Sequence, residues 1–67
     1  MNKKICIECP EEESRNVRVA LHEIGCCDLV SRRLRLGTVI INARTNRIGA
    51  LKATKKFMWN KAITVYT

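Results

Sequence analysis

The apolar residues of this 67-residue chain switch between two spacings along its length, and that switching limits the folds open to it. In 3–9, Ile5, Ile7 and Cys9 alternate with Lys4, Cys6 and Glu8, the pattern of a half-buried strand. Val17, Ala20, Leu21 and Ile24 then fall on one helical stripe. Pro10 suits the entry to that helix because its missing N–H would be unpaired there. Glu11, Glu12 and Glu13 follow at the positive end of the helix dipole, and Gly25 supplies a stop. Glu11 and Arg15 stand four apart, so an ion pair along the helix is expected.

Beyond the helix the spacing returns to two. In 28–36, Val30, Leu34 and Leu36 share a side with Arg32, leaving Ser31, Arg33 and Arg35 outward. Gly37 marks a turn. In 38–44, Val39, Ile41 and Ala43 read as inward, with Ile40, Asn42 and Arg44 outward. These two runs form a hairpin. Thr45-Asn46 either caps a helix over 47–59 or turns into another strand; the Ala, Leu, Lys and Met content favours the helix. Its inner stripe would be Ala50, Leu51, Thr54, Phe57 and Met58. Ile63 and Val65 alternate inward in a closing strand over 62–66.

The order β-α-β-β-α-β predicts an α+β fold with two helices on one face of a single antiparallel sheet, the ferredoxin-like arrangement. Sixty-seven residues leave room for one core, so 1–67 is read as one domain. No apolar run approaches a membrane span, and no apolar stretch follows Lys3-Lys4 to make a signal peptide. A cytoplasmic protein with reduced thiols, and no membrane partner, is the resulting expectation.

A second pattern competes with this one. Cys6, Cys9, His22 and Cys26 are spaced C-x2-C-x12-H-x3-C. This resembles the ligand spacing of the Cys2His2 zinc fingers with the last His replaced by Cys. The resemblance covers 6–26 and implies zinc held by those four residues, with Val19 at the family's core leucine position. It implies a zinc-stabilised ββα-type N-terminal unit followed by a β-rich remainder. Glu13 stands where the family has an aromatic, and Pro10 follows Cys9 directly. The two readings also need different helix faces, because His22 lies roughly opposite the stripe of Val17, Ala20, Leu21 and Ile24. The strand–helix reading, with no cofactor, takes precedence. Separately, Cys9-Pro10 at a helix start looks like the active dipeptide of the small TusA-type sulfur-transfer proteins, which would imply a nucleophilic Cys9.

Charge is segregated. Residues 1–25 carry four Lys or Arg against five Glu, whereas 26–67 carry nine Lys or Arg against Asp28 alone. A basic half of this kind points to a nucleic acid or an acidic protein surface as partner. Arg33, Arg35, Arg44 and Lys4 would hold phosphates on the open sheet face, and Tyr66 would offer a stacking surface. The paired aromatics of the RNA-recognition motifs are absent. The competing reading is a protein-binding inhibitor or an oligomerising module. Exposed Ile40 and the strand edges would serve it, including an oligomer formed through the open face or an edge. No acid–base pair or phosphate loop suggests an enzyme.

Overall fold

The computed structural model describes residues 2–67. Strand β1, Lys3–Pro10, runs into a 3-10 turn, Glu11–Glu13, and then helix α1, Ser14–Ile24. Strands β2, Cys27–Arg35, and β3, Thr38–Thr45, form the hairpin. Helix α2, Ile48–Phe57, and the short strand β4, Thr64–Tyr66, complete the chain. The result is a small α+β fold with a four-stranded sheet in the order β2-β3-β1-β4, antiparallel at every pairing. No helix among the described residues is long and apolar enough to cross a membrane.

The core forms where the two spacings meet. Ile5, Ile7 and Cys9 of β1 lie opposite Ala43, Ile41 and Val39 of β3, and all six are buried on one sheet face. Val17 and Leu21 from α1, and Leu51 from α2, join the same cluster. Ile63 closes it beside β4. The stripe read from α1 is therefore the one that is buried, with Ala20 and Ile24 half-buried beside it. Gly25 ends α1 in the left-handed region at φ 96°, and the N–H of Cys26 returns to the Leu21 carbonyl at 3.0 Å. Only glycine reaches that conformation without a Cβ penalty.

Glu11 does not form the expected pair with Arg15. It lies in the 3-10 turn rather than the α-helix, and its carboxylate accepts from Arg33 at 2.6 Å instead. Its backbone N–H donates to the Gly37 carbonyl at 2.9 Å, tying the end of β1 to the hairpin turn. Gly37 takes φ 80° there, in the left-handed region that favours glycine.

The second helix forms at Thr45-Asn46 rather than a strand. The buried Thr45 hydroxyl accepts the Arg47 N–H at 3.0 Å, and Leu51 N–H reaches the Arg47 carbonyl at 3.1 Å. Its inward face is rotated from the expected one. Ile48 and Leu51 face the core, whereas Ala50, Phe57 and Met58 are exposed. The Lys55 ammonium donates to the carbonyls of Asn60 and Ile63, so a lysine occupies the side given to Phe57 and Met58 by the sequence pattern. Its aliphatic stem allows this, since the charged head still finds oxygen partners.

Candidate nucleic-acid interface

The sheet face away from the helices is built by residues that stand directly opposite one another, because cross-strand partners share a face. Cys27, Arg44 and Lys4 form one row; Val30, Asn42, Cys6 and Tyr66 form the next. Arg32, Ile40, Glu8 and Thr64 make the third row, and Arg35 and Thr38 begin the last. Four cations from three strands thus share this face, with Glu8 as the carboxylate near its centre.

Glu8 organises the middle of the face. It accepts from the Tyr66 hydroxyl at 3.4 Å and pairs with the Arg35 guanidinium at 3.4 Å. Neighbouring strands are about 4.8 Å apart, so Arg35 must reach across β3 to meet a residue of β1. That crossing, with Arg32 opposite, explains why Ile40 is only 8% exposed on a face no helix covers. The expectation that Ile40 is an exposed contact is corrected. Tyr66 is half-exposed at the β4 edge, and Arg44 lies 3.9 Å from Asp28, an exposed and weak pair. Lys4 and Arg32 have no ion partner among the described residues.

Arg33 is not part of this set. It stands opposite Val39, on the helix side, where Glu11 holds it. The cause is an irregularity between Cys27 and Val30, where Asp28 takes φ 56° and shifts the register. One extra residue reverses every side chain that follows. Val30 and Arg32, expected inward, are therefore outward. A second irregularity between Arg33 and Arg35 returns Arg35 to the open face. Arg35, Arg44, Lys4 and Tyr66 are brought together as expected, and Arg32 replaces Arg33. The sequence carries no signal for that exchange beyond the misplaced Arg32 itself. Glu8 was legible by parity as an outward residue of β1.

The zinc set is not assembled. Cys6 lies on the open face opposite Asn42, whereas Cys9 faces the core opposite Val39. His22 is exposed on α1 and Cys26 is buried behind Gly25. No three His, Cys, Asp or Glu residues among the described ones stand where they could share a metal. Strand alternation is the physical reason, because positions three apart in a straight strand point to opposite sides. The zinc-stabilised unit is therefore replaced by the strand β1 and helix α1.

Cys9 is also not an activated nucleophile. All four cysteines are free thiols, and Cys9 is 1% exposed. Burial first, and the Glu13 charge second, push its thiol above the ordinary 9.0. The buried thiol favours its protonated form, so its contribution to stability is present below about pH 9 and is lost as pH rises through the raised value. Denaturant midpoints should fall as pH rises above about 9, and Cys9→Ala should show a smaller fall than the native chain. An equal fall in both would assign the pH dependence to other groups.

No protein-family model matches the chain, and no curated protein matches it in sequence.

Proposed function

We propose that this protein is a small basic binding module that takes nucleic acid across its open sheet face and carries out no catalysis itself. The observation behind the reading is the set of Lys4, Arg32, Arg35 and Arg44, drawn from three strands onto one uncovered face, where Glu8 is engaged by Arg35 and Tyr66 and Asp28 stands beside Arg44. Phosphates would lie against the arginines and the lysine, and Tyr66 would offer its ring to a base at the β4 edge. The fold reading that goes with it is ferredoxin-like βαββαβ. The sheet order β2-β3-β1-β4 supports that topology, with the 3-10 turn inserted between β1 and α1.

Salt provides the test. Three or four phosphate contacts predict a log–log slope of about −2 to −4 for binding a labelled oligonucleotide. Arg32→Gln should make the slope shallower by roughly 0.7–0.9, the share of one contact. Arg33→Gln, on the other side of the sheet, should leave the slope unchanged. Absence of binding at low salt to both single and double strands would end this reading. Equal effects of the two substitutions would assign binding to net charge rather than to this face.

A further inference from the structure

We propose that the outer edge of β2 is a strand-addition site for an acidic, extended segment of a partner protein. This site shares Arg32 and Arg35 with the open-face reading but rests on the unpaired backbone edge of β2, which that reading does not use. β2 is nine residues long and lies at the end of the sheet, so one side of its backbone has no strand partner. Of those nine, only Leu29 is even half-buried. β2 is thinly covered: of its nine residues Leu29 alone packs against the core, and none is fully buried. Val30 is 60% exposed and Leu34 48%. The opposite edge, β4, has three residues and offers much less backbone.

Charge identifies the occupant. Arg32, Arg33 and Arg35 lie along β2, and Arg18 of α1 joins Ser31, Arg33 and Glu11 around a shallow groove with Val39 in its lining. The acids available to these four arginines are Glu11, which holds Arg33, and Glu8, which holds Arg35. Arg18 and Arg32 have no ion partner among the described residues. A second copy would set the β2 arginines against the same arginines, which is how natural edges deter self-pairing. An acidic strand meets the reverse situation. Its backbone would complete the ladder along Val30–Arg33, the stretch between the two register irregularities. Alternating side chains would place carboxylates beside Arg32 and Arg35, or beside Arg18 and Arg33, and aliphatic groups on the other side.

A blocked eight-residue peptide alternating glutamate and valine is a suitable probe, titrated into the isotope-labelled full chain and followed by amide NMR. The expected result is saturable shifts centred on Val30–Arg33 with slowed amide exchange there. The same peptide with every backbone amide N-methylated keeps its charge and loses its donors; it should bind at least about tenfold more weakly. A lysine–valine peptide should not bind. No shift in β2 at millimolar glutamate–valine peptide would overturn the proposal. Equal binding of the N-methylated peptide would also overturn it, because charge attraction alone would then suffice. A peptide-free dimer with protected β2 amides would assign the edge to a second copy instead.

Discussion

Leu21→Ala is expected to destabilise the protein by about 3–4 kcal/mol, whereas Val19→Ala, two residues away on the same helix, should cost well under 1 kcal/mol. Leu21 is fully buried in the cluster that includes Ile7 and Ile41, and Val19 is 52% exposed. A chain of this length carries a total stability of roughly 3–10 kcal/mol. The first substitution therefore removes a large share of it and should leave part of the population unfolded at 37 °C. The second should barely move the denaturant midpoint. The pair discriminates between the two helix faces that the sequence offered, because a finger-type helix would bury Val19 together with His22 and Cys26. Larger destabilisation by Val19→Ala than by Leu21→Ala, in urea titrations read by circular dichroism, would mean that the wrong face has been placed against the sheet.

On the open face, changes in charge should act with opposite signs. Lys4 and Arg44 stand directly opposite each other and are both exposed. Lys4→Glu with Arg44→Glu removes two phosphate contacts. Each contact scales with salt to the power of about −0.9 on duplex, so at roughly 0.1 M salt each is worth about eightfold. A loss of at least about 50-fold in oligonucleotide affinity is expected, with a slope shallower by nearly two. Glu8→Gln should do the reverse. It frees Arg35 from its carboxylate and removes the acid at the centre of the face, while the amide oxygen can still accept from Tyr66. Binding should tighten several-fold and the slope steepen by about one contact. Both variants should melt close to the native chain, since exposed ion pairs contribute little. Unchanged affinity in the double reversal, or weaker binding in Glu8→Gln, would remove the open face from consideration.

The contrast between α1 and β2 explains how much was legible in the sequence. Helix α1 buries one stripe against a sheet, so Val17 and Leu21 had to be apolar and their spacing exposed the helix directly. The same holds for β1 and β3, whose alternation marks a face that the core requires. β2 buries almost nothing, and Leu29 alone packs against the core. Val30, Leu34 and Leu36 answer to no buried surface, so they suggested an inner side that the strand does not have. The left-handed Asp28 then changed the parity, and nothing in a stretch reading Cys-Cys-Asp-Leu announces it. The candidate site suffered the same error in one member, Arg33. The α2 stripe was misplaced for another reason: Lys55 reaches carbonyls beyond the helix, a tertiary contact to residues that follow it.

That contact also separates Lys55 from the other lysines of its region. Lys52, Lys56 and Lys61 are exposed, whereas the Lys55 ammonium clasps the Asn60–Ile63 segment that leads into β4. An acyl group on that nitrogen would remove its charge and two of its donors. The consequence would fall on the seating of Ile63 and on the last strand of the sheet, so that a modification ordinarily associated with binding would here act as a control on the fold.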